Sequence, residues 1–297
     1  MLIKHLKNNQ IDRQKWDKTV FAAKNSLPYA FSWFLNEVSE NWEALIMADY
    51  QYIMPLHVKR KCGITYLMQP IFCQQSGIFS QEIISQNIVN EFIKAIPYKF
   101  FALQLNHQNV CQNKKLPNLI LSLSDSYEKI KQNFSENTKR NIRKSEKFEL
   151  KIKTINPTEF LTFWKSKNMQ KFSQSLSVLE KIVNLKNDIV KLYSVVNQED
   201  KVIAINLILE TEKRIINLVP TSNQEGKEKL AMFFLLNYLI EKNAEKDMIL
   251  DFSGSQIEGI ARFYRGFGAT DEPYFFIKKN RPEWLVKLIH KILHNQK

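Results

Sequence analysis

The sequence predicts an α+β protein built as two halves, each a mixed, mostly antiparallel sheet flanked by helices. Three observations carry that prediction. Helical periodicity gives way to consecutive β-type segments at Trp42, and the same change recurs beyond Leu150. In each half a meander of strands then leads through a helix into a further strand. Only the order of elements repeats, because no residue-level repeat between the halves is visible.

In order, Trp16, Val20 and Phe21 mark a first helix within 12–40, and Pro28 introduces a second over about 29–39. Strands follow at 43–49, 52–61 and 63–72, joined by turns at Asp49-Tyr50 and Cys62-Gly63. A helix over about 82–95 carries Ile83, Ile84, Ile88, Phe92 and Ile93 on one face, and strands follow at 99–105 and 118–124. A long helix over 126–148, capped by Ser124 or Asp125, opens the second half. The boundary therefore falls between 1–124 and 125–297. The second half continues with a strand at 150–155, helices at 158–171 and 177–190, and strands at 191–197, 202–211 and 214–220. A helix at 229–243, a strand at 248–254, a helix at 257–266, a strand at 273–279 and an amphipathic helix at 283–294 complete the chain.

Composition narrows the function classes. With 44% hydrophobic and 12% aromatic residues among 297, the chain has material for a packed core rather than for disorder. The net charge of +13 favours anionic partners such as nucleic acid, a phosphorylated cofactor or an acidic membrane surface. The three cysteines, Cys62, Cys73 and Cys111, form no CxxC pair, as expected of free thiols in a reducing compartment. The five histidines are scattered, so no metal site is expected. The first sixteen residues lack a signal-peptide pattern and no apolar run is long enough to span a bilayer, so a cytoplasmic protein without a transmembrane segment is expected.

Glycine is scarce, yet four of the seven, Gly254, Gly259, Gly266 and Gly268, fall between 254 and 268. The run Ala261-Arg262-Phe263-Tyr264-Arg265-Gly266-Phe267-Gly268 resembles the signature that follows the fifth strand of GNAT acyltransferases. The resemblance implies two GNAT-like halves and acyl-CoA (acetyl-CoA) as donor, with Tyr264 protonating the departing thiolate. A phenol of pKa about 10 can donate a proton to such a leaving group at neutral pH. The family's pyrophosphate loop would fall on the stretch from Val219 to Met232, with Thr221, Lys227, Lys229, Leu230 and Ala231 in it and Ser253 on the neighbouring strand. The two small residues of that loop have no counterpart here, but amides at the helix start and Lys227 or Lys229 are available to phosphate.

The run from Glu136 to Lys147, together with Asp251-Phe252-Ser253-Gly254-Ser255 and Phe267-Gly268, resembles the Fem family of tandem GNAT proteins over roughly 120–280. That resemblance implies aminoacyl-tRNA as an alternative donor and a cell-wall precursor as acceptor. Fem-type proteins carry a lysine where this chain has Tyr264. Arg140, Arg143 and Lys147 form a basic stripe opposite the apolar face of their helix, suited to phosphate or RNA or simply to solvent. Gln74 and Gln75 end an apolar strand where they can meet an acceptor in a groove between the halves. Asp251 and Glu210 are candidate general bases. Lys287, His290, Lys291 and His294 flank the apolar face of 283–294, a pattern that fits a peripheral membrane helix as well as docking on the protein itself.

The expected activity is transfer of an acyl or aminoacyl group from an activated thioester or ester to an amine or hydroxyl. The N-terminal half would be a degenerate acceptor side and the C-terminal half the donor-binding transfer centre. The alternative is a non-catalytic module of the same fold that binds RNA or a phosphorylated ligand, for which the basic stripe rather than Tyr264 would matter.

Overall fold

The computed structural model describes residues 2–168, 173–254 and 257–279. The chain divides into two compact units, residues 1–116 with 274–297, and 117–273. The first begins with β1 (Ile3–Leu6), α1 (Arg13–Ala22) and α2 (Ser32–Val38). Asp12 caps α1 by accepting from the amides of Gln14 and Lys15, and Trp16 and Val20 are the face it buries. Trp16 tilts against Trp42 at 4.7 Å and donates its indole N–H to the Ala30 carbonyl at 2.7 Å, so its one polar atom is satisfied inside the core.

The strands β2 (Glu43–Met47), β3 (Tyr52–Leu56), β4 (Val58–Lys61) and β5 (Ile64–Met68) form the meander, and β6 (Phe79–Ser80) returns to pair with β3. The strand expected over 52–61 is interrupted at His57, whose backbone stands between two sheets. After α3 (Gln86–Ala95), β7 (Phe101–Leu105) runs parallel to β5, and β8 (Lys114–Leu116) ends the segment. Helix α3 starts four residues later than its apolar pattern, because Ser85 caps it. Ile83 consequently lies outside the helix and is exposed, whereas Val89 and Phe92 are buried.

The second unit repeats this plan. It opens with β9 (Leu119–Ser122), α4 (Tyr127–Gln132) and α5 (Glu136–Glu146). The single helix expected over 126–148 is two, because Ser135 starts a new one. Its hydroxyl accepts from the Thr138 amide at 3.2 Å and its own amide donates to the Gly266 carbonyl at 2.8 Å. Ile130, Phe134 and Ile142 are buried as their spacing predicts. Then come β10 (Lys151–Thr154), α6 (Pro157–Asn168), α7 (Ser173–Val183), and the strands β11 (Val190–Val196), β12 (Val202–Glu210) and β13 (Arg214–Asn217). The residues from 184 to 190 leave the helix for a turn and the start of β11. β14 (Thr221–Ser222) returns to pair with β12, as β6 does with β3. The helix expected from 229 is α9 (Ala231–Asn243), and a short helix the sequence did not suggest, α8 (Gln224–Glu228), precedes it, with Leu230 in the left-handed region at φ 59° between them. α8 packs closely on the sheet: a Cβ at Gly226 would lie 2.2 Å from the Ile203 carbonyl oxygen. β15 (Ile249–Asp251) runs parallel to β13, and α10 (Glu258–Arg265) and β16 (Thr270–Asp271) follow.

The last strand, β17 (Tyr274–Lys279), joins neither β15 nor β16. It lies between β7 and β8 of the first unit, antiparallel to both. Its counterpart in the second unit is β9, which lies between β15 and β16 although it follows the first unit in sequence. The boundary expected at 124/125 therefore falls between Leu116 and Pro117, and the closing strand changes unit. Strand order in sequence does not reveal such an exchange, because β9 and β17 carry equally apolar patterns. The helix expected at 283–294 lies outside the described residues. Among those described, no helix is long and apolar enough to cross a membrane.

Candidate active site in the second unit

The parallel strands β13 and β15 stay in register only from Arg214↔Ile249 to Ile216↔Asp251. Beyond that point they part. Leu218 and Val219 both turn their amides to the Leu207 carbonyl, at 3.0 and 3.2 Å, and β14 continues towards β12. On the other strand Phe252 donates to the Leu119 carbonyl of β9 at 2.9 Å. The two edges that would have bonded to each other are thus drawn to opposite sides.

Tyr264 reaches this divergence from α10. Its ring stacks on Phe252 at 4.5 Å and 21°, and its hydroxyl accepts from Asn217 Nδ2 at 3.1 Å. Asn217 Oδ1 in turn accepts from Asn206 Nδ2 at 2.7 Å. The chain of donors runs Asn206 to Asn217 to Tyr264, and the phenolic proton itself has no acceptor among the described residues. The side chain is 5% exposed. Burial raises its pKa to about 12, against the opposing effect of the Asn217 hydrogen bond, so it keeps its proton throughout the physiological range. The two asparagines were not singled out in the sequence. Their signal was an amide at the centre of each of two otherwise apolar strands, VIAINLILE and RIINLVP.

Asp251 is no general base. It is fully buried, with Oδ2 accepting from Arg214 Nη1 at 2.6 Å and Oδ1 from the Ser253 amide at 2.8 Å. Arg214 also makes a two-pronged pair with Glu272 at 2.8 and 2.9 Å. Burial pushes the guanidinium pKa down, but the two carboxylates outweigh it and hold it above its usual range. Through Arg214, Asp251 therefore ties β13 and β15 to the segment after β16, and its charge is committed to that ion pair. Glu210 is also not brought to Tyr264. It ends β12 four residues beyond Asn206, a distance of about 13 Å along a strand.

The residues expected at the donor loop divide. Leu230 and Ala231 begin α9, which has no side-chain cap; the Leu230 amide donates to the Lys227 carbonyl at 3.2 Å and the Phe233 amide to the Leu230 carbonyl at 2.9 Å. Thr221 is held in β14 and Val219 is buried. Lys229 pairs with Glu225 at 2.8 Å, whereas Lys227 is exposed and has no partner among the described residues. Ser253 adopts φ 57° beside the Phe252 stack, and Ser255 lies outside the described residues. Arg140, Arg143 and Lys147 are exposed along α5, with Arg140 donating to Asn137 Oδ1 at 2.7 Å. Gln75 in the first unit is fully buried. It accepts from the His107 amide at 3.2 Å and donates to Gln74 at 3.2 Å, so its amide ties its loop to the loop after β7. Among the described residues no group of His, Cys, Asp or Glu could hold a metal ion.

No protein-family model and no curated protein matches the sequence. Solved structures do match the fold over nearly the whole length. FemX superposes with a TM-score of 0.67 at 11% identity, covering 96% of this chain and 99% of that one. L-PGS from Bacillus licheniformis gives 0.54 at 12% identity, covering 86% and 90%. A tandem GNAT protein from the clavulanic acid biosynthesis pathway gives 0.52 at 7% identity, covering 94% and 99%. With the duplicated plan and the parting of β13 from β15, these likenesses identify the chain's fold as the tandem GNAT, Fem-like fold.

Proposed function

We propose that this chain is an acyltransferase whose second unit binds the donor and whose Tyr264 serves the leaving group. The observation that carries the reading is the phenol at the parting of β13 and β15, with its oxygen already accepting from Asn217 and its proton uncommitted. In this reading an amine or hydroxyl of the acceptor attacks the donor carbonyl, and the bond to the leaving oxygen or sulfur breaks as the intermediate collapses. Tyr264 gives its proton to that atom, and the proton lost by the acceptor returns to the phenolate through solvent. Asn206 and Asn217 are positioning residues that fix the direction of the O–H.

The raised pKa bears on the choice of donor. A thiol has a pKa of about 8.5, so a thiolate leaves readily without help from so weak an acid. An alkoxide is far more basic and needs the proton, so the phenol matters most with an ester donor. The reading therefore favours an activated ester, such as an aminoacyl ester of a nucleotide or RNA, over acyl-CoA. The departure of the 227–232 loop from the GNAT pyrophosphate pattern supports the same choice. An amine or hydroxyl on a small molecule or a cell-wall precursor would serve as acceptor.

The test is single-turnover transfer from ester and thioester donors by the wild type and Tyr264→Phe. Loss of ester transfer in a variant that keeps its circular dichroism and melting point supports the reading. Equal rates in the two proteins exclude Tyr264 as the acid.

A further inference from the structure

The five-stranded sheet of the first unit runs β4-β5-β7-β17-β8. Its register aligns Val58, Leu67, Phe101 and Lys279 in one row across the first four strands. Lys278 stands in the adjoining row, with Ala102 and Met68. On the other side of the first row, away from the point where β5 and β7 part, come Lys59, Arg60 and Lys61 on β4 and Lys99 two residues before β7. Six cations thus gather at one end of the sheet, across about 14 Å at the usual strand spacing. All are exposed except the half-buried Lys59, and none has an ion-pair or hydrogen-bond partner among the described residues. The sequence supplies no partner nearby. No Asp or Glu occurs between Asp49 and Glu82, between Glu91 and Asp125, or between Glu272 and Glu283. Unrelieved repulsion of this kind costs stability, and an external anion relieves it.

The neighbours of these cations select the kind of anion. Cross-strand pairing sets Lys61 beside Ile64 and Lys59 beside Tyr66. The alternation of a strand puts Met68, and with it Lys278, on that same face. Ile64 and Tyr66 are half-buried and Met68 is 40% exposed, so cations and apolar groups alternate over an open sheet surface. Lysine stems can lie along apolar material with the ammonium at the head groups, and tyrosine favours the same depth of a bilayer. Five of the six cations are lysines, strongly hydrated point charges. The planar fork that suits bidentate reading of RNA phosphates is present once, in Arg60. Past Lys279 the sequence continues with Trp284, Leu285, Leu288, Ile289, Ile292 and Leu293 at helical spacing, a composition suited to the same interface.

We infer that this end of the first unit docks on an anionic lipid bilayer, with its cations among the head groups and Ile64, Tyr66 and Met68 at the acyl boundary. The inference goes beyond the transfer reading and does not need it. The surface is in the other unit from Tyr264, and binding is measured without turnover.

Co-sedimentation of the full chain with vesicles tests it, comparing mixed phosphatidylglycerol and phosphatidylcholine with phosphatidylcholine alone. Binding is expected to the anionic vesicles only, and it should weaken as added salt shortens the screening length. Changing Lys59→Gln, Arg60→Gln and Lys61→Gln together should weaken partition by about a hundredfold, at about fivefold for each cation near an anionic surface. The combination Lys144→Gln, Lys186→Gln and Lys213→Gln removes the same charge from exposed positions of the second unit. It should weaken partition by no more than about threefold, because charges beyond a screening length count for little. Both sets are surface changes and should leave the melting point near that of the wild type, which separates lost docking from misfolding. Absence of binding to the anionic vesicles overturns the inference, as does an equal loss in the two triple variants. Retention of a structured RNA that depends on Lys59, Arg60 and Lys61, with vesicles ignored, assigns the surface to RNA and overturns it as well.

Discussion

The two units share one plan, and they differ most where their parallel strands part. In the first unit β5 and β7 are paired only through Leu67↔Phe101 and Met68↔Ala102, and the gap beyond is filled by the chain itself. Gln69 donates its amide to the Ala102 carbonyl at 3.2 Å and accepts the Gln104 amide at 3.1 Å. Ser76 donates to the Gln104 carbonyl and accepts from the Asn106 amide, each at 2.8 Å. Gly77, at φ +92°, presses so closely on Asn109 that a Cβ would lie 2.2 Å from its side-chain oxygen. In the second unit the phenol of Tyr264 stands where β13 and β15 part, bonded to Asn217. The same backbone divergence is bridged by backbone hydrogen bonds in one copy and, among the described residues, reached by a side-chain phenol in the other. The two copies of one architecture thus differ in what the loops after β5 and β13 do with their hydrogen bonds.

The comparison can be broken most forcefully by acid. His57 is fully buried at the interruption between β3 and β4, and burial, reinforced by Lys59, lowers its pKa to about 3. An unfolded chain binds the proton near pH 6.5, so stability is complete above that pH and falls as pH drops towards 3. The loss is up to about 5 kcal/mol. Urea titrations across that window should show it, and His57→Gln should flatten the slope. The continuous strand β12 has no such group, so the second unit should keep its structure to lower pH by hydrogen exchange.

Next in size is Arg214→Met, which leaves the fully buried Asp251 without its counter-ion. A stability loss of about 3–5 kcal/mol is expected in denaturant titrations, with melting led by the second unit. Tyr264→Phe should reduce ester transfer by about a hundredfold or more while removing one hydrogen bond from the fold. Gly77→Ala strikes the sealed gap, where both the left-handed backbone and the Asn109 contact resist a Cβ. A loss of about 1–3 kcal/mol is expected from the first unit. The smallest effect should come from Asn217→Ala, which leaves the phenol in place but free to rotate. About a tenfold fall in kcat with little change in KM would mark it as positioning; a change in KM alone would assign it to donor binding.

Most of the fold was legible in the sequence because periodicity records burial. The spacing of Ile130, Phe134 and Ile142 placed a buried face correctly even though Ser135 divides the helix. What periodicity cannot record is partnership. β9 and β17 read as ordinary strands, and nothing in either indicates which sheet accepts it. The candidate site was legible through Tyr264, whose neighbours carry a family resemblance, but not through Asn206 and Asn217, whose meaning depends on meeting each other across β12 and β13. Asp251 misled for the same reason. A carboxylate ending an apolar strand suggests a base until Arg214, thirty-seven positions away, is found beside it.

The exchange of β9 and β17 has a consequence for the order in which the molecule can be completed. A chain emerging from the ribosome has every strand of the second unit once residue 273 is made, because β9 has been waiting since early in synthesis. The first unit, born earlier, still lacks the strand between β7 and β8 until β17 arrives. Its unsealed edge is thus carried through most of translation, and a premature stop just before Tyr274 would spare the later half and cripple the earlier one.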